Sequence, residues 1–197
     1  MRRRNRACSD DEVISASVDD PACFSMLIST HAHAILMYLT RRVGPVDAED
    51  LAADTFLTAF SRRTHYVSVH GSALPWLYGI ATNLVRNHSR SERRRIEFLS
   101  RMAAAEGRGI ADDTNERRAE AVDDLQRLAL GLANLADGAR DVVMLVAIEG
   151  LSYEEASVAL GVPVGTVRSR LSRARDHLRT SVDYPNLPEA RIERGVI

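Results

Sequence analysis

Along most of this chain apolar residues recur at helical spacing, and few stretches alternate polar and apolar with period two. After the helix-start signal Asp20-Pro21, Phe24, Leu27, Ile28, Ile35 and Leu39 predict a helix to about Val43, where Gly44-Pro45 breaks the pattern. A second helix is expected from about Asp47 to Arg63, burying Leu51, Thr55, Phe56, Ala59 and Phe60. Residues 64–73 mix loop-forming and β-branched residues and read as a loop. A third helix begins near Leu74-Pro75-Trp76 and runs through Ile80, Ala81, Leu84 and Val85 into the basic run Arg93–Arg95. Residues 100–118 are rich in Gly, Ala and charge with weak periodicity, as a linker would be. Helical patterns resume at 119–134, 137–149, 152–160 and 163–180, and the prolines of Tyr184-Pro-Asn-Leu-Pro188 leave the tail extended. The expected architecture is all-α: two small helical domains joined by a flexible linker. The expected boundaries are 1–98, a linker at 99–118, a second domain at 119–182 and a tail at 183–197.

The last two helical patterns form a helix-turn-helix. Ser152 can cap the first helix, with Glu155 completing a capping box. Gly161 suits a left-handed helix end, and Pro163 sits where the next helix can begin. In that second helix Val167, Leu171, Ala174 and Leu178 share one inward stripe. Ser169, Ser172 and Arg173 then point outward, with Arg168 and Arg175 on one flank and Thr166 and Arg170 on the other. Outward residues near a recognition helix can reach base edges in the major groove, and flanking ones reach phosphates. Nucleic acid is therefore the leading partner.

Charge is segregated along the chain. The net charge is only −1, yet residues 163–175 carry Arg168, Arg170, Arg173 and Arg175 without an acid. Residues 82–95 carry Arg86, Arg90 and Arg93–Arg95 against Glu92, and residues 47–54 carry Asp47, Glu49, Asp50 and Asp54. Two basic surfaces and one acidic one imply more than one partner. All 26 basic residues are arginine, a bias that a GC-rich coding sequence explains, so no arginine is singled out by its type. The acidic residues Asp47, Asp50 and Asp54 share a helix face that reads either as solvated or as a docking surface. Trp76 and Tyr78, beside a loop and ahead of Arg86 and Arg90, read either as core or as a platform for unstacked bases.

Taken in order, Asp47-Ala-Glu-Asp-Leu-Ala-Ala-Asp-Thr-Phe56, Pro75-Trp-Leu-Tyr-Gly-Ile-Ala-Thr-Asn83 and the segment Leu135–Arg175 resemble a bacterial extracytoplasmic-function (ECF) sigma factor. The resemblance spans roughly residues 21–96 and 119–180. It implies a protein that binds core RNA polymerase, at its clamp helices and flap, and directs it to promoter DNA. Polymerase contacts would come from Asp47, Asp50, Leu51, Asp54, Phe56 and Leu57. Tyr66, Val67, Asn83 and Arg86 would serve the minus-ten region, where a flipped base nucleates melting. Arg168, Ser169, Ser172 and Arg173 would contact minus-thirty-five bases, and Thr166, Arg170 and Arg175 the backbone. An anti-sigma factor is a further partner such proteins admit. The chain departs from the family at Thr82, where arginine is frequent, at Val67, where phenylalanine is frequent, and at Ser172, where some members carry an aromatic residue.

The remaining residues argue against other chemistries. Cys8 and Cys23 are too few for a disulfide framework. His31 and His33 stand two apart on a helix and diverge by about 200°, so neither a metal nor a cofactor is expected. No phosphate loop and no catalytic spacing is present, and an enzyme is not expected. No apolar run approaches the roughly 20 residues of a membrane span, and no signal-peptide core follows Met1-Arg-Arg-Arg, which points to the cytoplasm without membrane insertion. The rival reading is a helix-turn-helix regulator that is not a polymerase subunit.

Overall fold

The computed structural model describes residues 8–68, 71–105, 131–132 and 134–182. Among them every extended element is a helix: α1 (Asp10–Asp19), α2 (Phe24–Val43), α3 (Pro45–Arg62), α4 (Leu74–Ala105), α5 (Asp137–Val143), α6 (Tyr153–Leu160) and α7 (Val164–Val182). Short 3₁₀ turns follow α1 and α3, and a π-helical turn, Met144–Ile148, extends α5.

Packing α1–α4 together forms the N-terminal domain. Helix α2 is its axis, burying Phe24, Leu27, His31, Ile35, Tyr38 and Leu39 along one stripe. By length and composition the 23 residues Pro21–Val43, whose most apolar 18-residue stretch has mean hydropathy 1.4, would suffice to cross a membrane, contrary to the expectation of no such run. The outward face carries Ser25, Ser29, Thr30 and His33, which are exposed but only mildly polar, so an amphipathic core helix passes the same test. Gly44, at φ 87°, turns the chain between α2 and α3, and Pro45 opens the next helix. Phe24 meets Phe60 edge-on at 5.3 Å, and Arg63 lies over the Phe60 ring while donating to the Ser17 carbonyl.

Helix α1 was not expected. Only Val13, Ile14 and Ser17 are buried along it, too few for a periodic signal. Its start is nonetheless marked: Ser9 Oγ accepts from Glu12 N, and Glu12 returns the bond to Ser9 N. Helix α4 continues to Ala105, through positions assigned to the linker on composition; Arg, Met and Ala there favour helix. The rest of that linker, most of the 119–134 helix and the tail lie outside the described residues.

The C-terminal domain is built on α5–α7, whose core includes Leu135, Val142, Leu145, Leu151, Ala156, Ala159, Val167, Leu171 and Ala174. The capping box Ser152–Glu155 forms as expected. Gly161 ends α6 in the left-handed conformation, φ 62°, ψ 37°. Ser157 Oγ closes the turn by donating to the Val162 carbonyl at 2.6 Å.

Candidate nucleic-acid and polymerase interfaces

On α7 the residue faces fall as the spacing requires. Val167, Leu171 and Ala174 are buried, and Arg168, Ser169, Ser172, Arg173 and Arg175 are exposed. Arg173 folds back so that Nε donates to the Ser169 carbonyl at 3.2 Å. Arg168 leans over the Tyr153 ring of α6, 5.6 Å from its centroid, on the flank where the helical wheel puts it. Thr166 and Arg170 are half-buried. Arg170 lies against Gly138 of α5, whose Cβ, if present, would stand 3.0 Å from Nη1. Together with Arg86, Arg90, Arg93 and Asp137 it lines an open cleft of about 360 Å³ between the two domains.

The acidic helix divides more sharply. Asp50, Asp54 and Leu57 are exposed, Leu57 to 64%, and Val46 extends this face. Asp47 is half-exposed and lies 3.4 Å from His88 Nε2. Leu51 and Phe56, each 8% exposed, belong to the core, so two of the six residues that the resemblance assigns to polymerase contact lie beneath this face. Their burial agrees with the period that placed both in the inward stripe.

In the 64–73 loop Tyr66 is half-buried, 5.0 Å from the Trp76 ring, and its hydroxyl donates to Asp11 Oδ1 at 2.9 Å. Burial and the Asp11 carboxylate push its phenol well above the usual tyrosine range. Val67 is 76% exposed and Asn83 is exposed as well. Trp76 thus packs against the loop, and Tyr78 is core. Thr82, buried, shares a 2.7 Å hydrogen bond with the Tyr38 hydroxyl; at this position the chain has a core contact.

Arg86 is held by the other domain. Its Nε donates to Asp141 Oδ2 at 2.7 Å, and Arg42 Nη2 donates to Asp141 Oδ1 at 2.5 Å. Asp141 is fully buried between them, and Arg42 is 6% exposed at its side chain. Beside this cluster Glu149 accepts from Arg41 at 2.5 Å and from the Tyr78 hydroxyl at 2.8 Å. Burial, then the Glu149 carboxylate, raise the Tyr78 phenol too. Helix α6 crosses α4 so closely that a Cβ on Gly79 would lie 2.5 Å from the Ala159 carbonyl oxygen. Arg41, Arg42, Asp141 and Glu149 went unnoticed in the sequence, where no local pattern links residues so far apart.

Two matches to known families cover the two domains. Residues 27–95 match sigma-70 region 2, and residues 125–178 match sigma-70 region 4. The chain therefore carries regions 2 and 4 of a sigma-70 protein. It is 30% identical over 184 residues to the ECF RNA polymerase sigma factor SigC of Mycobacterium tuberculosis, covering 91% of this chain and 96% of that relative. It is 26% identical over 180 residues to the ECF sigma-E factor of Escherichia coli K12, covering 87% and 94%. In fold it is similar to CnrH, solved in complex with the cytosolic domain of CnrY (TM-score 0.60, 22% identity, 90% of this chain and 99% of that one). It is also similar in fold to the sigma factor RpoE of Bartonella quintana, solved with the anti-sigma factor NepR (TM-score 0.55, 24% identity, 83% and 98%). The chain belongs to the ECF sigma factors. It is an RNA polymerase sigma factor, sigma factors as a family being non-enzymatic initiation factors, and the reading as a free-standing regulator is not favoured.

The exposed α7 face yields a prediction. Arg173→Ala is expected to change preference among minus-thirty-five sequences, with a loss of about 1–3 kcal/mol on the best site. Arg175→Ala should weaken binding evenly across sequences and lower its salt dependence by roughly one charge. Binding titrations over several promoters and salt concentrations distinguish them; identical profiles would refute the division of roles.

Proposed function

We propose that the two domains act as two grips on one promoter while the acidic face of α3 holds the polymerase. Asp50, Asp54 and Leu57, with Asp47 at the edge, dock on the clamp helices; Leu51 and Phe56 keep that face rigid from below. On α7, Ser169, Ser172 and Arg173 read minus-thirty-five bases, Arg168 works from the flank, and Thr166, Arg170 and Arg175 hold phosphates. The loop bearing Tyr66 and Val67, with Asn83 and Arg86 on α4, engages the minus-ten region and its extruded base. The C-terminal domain, residues 119–182, would also meet the polymerase flap. An anti-sigma factor, such as the NepR bound to the Bartonella quintana RpoE, is the expected regulator, and the cytoplasm is the expected compartment.

The observation that carries this reading is the exposure of Asp50, Asp54 and Leu57 on one helix and of Ser172, Arg173 and Arg175 on another, in separate domains. Run-off transcription with core polymerase and candidate promoters tests it. Promoter-specific transcripts should appear only with the chain present, and Asp50→Arg should lower affinity for core enzyme without changing thermal unfolding. Absence of core binding by the intact chain would defeat it.

A further inference from the structure

We infer that Asp11 is a positioning residue for promoter opening: it fixes Tyr66 and Ser68 as two posts, so that Val67 between them is the side chain that meets the extruded base. This rests on the reading of the 64–73 loop as the minus-ten element's partner and adds to it a residue outside both sigma-region matches.

The two carboxylates in the first turn of α1 grip the loop at both ends. Asp11 Oδ1 accepts from the Tyr66 hydroxyl at 2.9 Å, and Oδ2 accepts from Ser68 Oγ at 2.6 Å. Asp10 Oδ2 accepts from the Ala73 backbone N–H at 2.7 Å and faces His31 Nε2 at 2.9 Å. The capping box at Ser9 holds this first turn in place, and Val13 and Ile14 seal α1 onto the domain. The Tyr66 ring is pinned a second time by Trp76.

The loop's own contacts do the rest. Tyr66 is extended, φ −64°, ψ 132°, and its hydroxyl and that of Ser68 both reach Asp11. With 66 and 68 turned toward α1, 67 turns away, which is where Val67 stands, 76% exposed. Tyr66, half-buried against Trp76 and bonded to Asp11, is a support and not the reader. A valine has one stiff rotamer and no hydrogen-bonding group, so it holds an unstacked base by its apolar face. Pulling a base from the stack costs a few kcal/mol. Ordering a loose loop would add its conformational entropy to that cost. Hydrogen bonds to the Asp11 carboxylate meet the ordering cost before DNA arrives. Loss of the posts should therefore slow opening and leave docking on the closed duplex unchanged.

The experiment uses the full chain with core polymerase and a promoter chosen by run-off activity, in duplex form and as a fork already open at the minus-ten element. Base opening is followed by 2-aminopurine fluorescence. Asp11→Ala should slow opening of the duplex by about tenfold or more, the worth of a hydrogen bond to a charged group, and the fork should restore most of the loss. Tyr66→Phe, which keeps the ring on Trp76, should act in the same direction with a smaller effect. Val67→Ala should change which minus-ten base is preferred. Thermal unfolding of each variant identifies damage to α1, and Asp11→Leu, which keeps the bulk without any hydrogen-bonding group, covers the case where alanine unfolds it. Normal opening rates in Asp11→Leu and Tyr66→Phe together would overturn the inference, as would base preference that follows Tyr66 instead of Val67. Should base preference be indifferent to every loop variant while transcription stays promoter-specific, the reading of the loop itself fails; an altered preference in Val67→Ala with normal opening in Asp11→Leu defeats the posts alone.

Discussion

Asp141→Ala is expected to part the two domains, at a cost of about 3–5 kcal/mol, the usual penalty for removing one partner from a buried ion pair. Asp141 is fully buried and takes Arg42 on one oxygen and Arg86 on the other. Its loss leaves Arg42, 6% exposed at its side chain, without its carboxylate; Arg42 Nη1 already has no hydrogen-bond partner among the described residues. A guanidinium in that position can regain solvation only if the contact opens. Arg86, 31% exposed, then becomes free, so the variant should also bind fork promoter DNA more tightly than the parent in the absence of polymerase. Energy transfer between labels on α3 and α7 measures the separation, and DNA titration measures the release. A second variant, Arg42→Met with Asp141→Leu, should keep the domains closed, because an apolar replacement of a buried pair is often neutral or stabilising. An unchanged distance in Asp141→Ala would mean that the ion pairs do not hold the closed arrangement. Salt should do little to the parent, since buried pairs are weakly screened.

Such a contact explains why the sequence revealed the helices better than their assembly. The inward stripe of α7 is a local matter: Val167, Leu171 and Ala174 declare it by spacing alone, and all are buried. The Ser152–Glu155 box and Gly161 likewise fix α6 within a few residues of themselves. By contrast Arg42 and Asp141 are 99 residues apart and Arg41 and Glu149 are 108 apart, and nothing between them carries the information. Helix α1 was missed, because a helix that buries Val13, Ile14 and Ser17 alone shows no stripe. At the candidate site, periodicity put Leu51 and Phe56 in the inward stripe, and both are buried. For Arg168 periodicity and family resemblance disagreed, and the side chain lies on the flank over Tyr153. Tyr66 shows a different limit: that it supports the loop follows from Asp11, a residue on a helix the pattern did not reveal.

Gly79→Ala should open the same contact without touching any charge, and should stabilise the N-terminal domain as it does so. The added Cβ would stand 2.5 Å from the Ala159 carbonyl oxygen and 3.2 Å from its carbonyl carbon. These are backbone atoms of α6 and cannot swing aside as a long side chain would, so α6 as a unit must move off α4. Within α4 itself alanine is the better helix residue by about 1 kcal/mol, and the neighbours meeting the new methyl belong to the other domain. The two effects therefore have opposite signs. Labels across the domains should move apart, while the N-terminal domain on its own should unfold at higher denaturant. Combined with Asp141→Ala, the second substitution should add little to the separation produced by the first, because both act on one contact and their energies do not sum. A variant that lost N-terminal stability along with closure would show that Gly79 is needed by α4 itself and not by the crossing of α6.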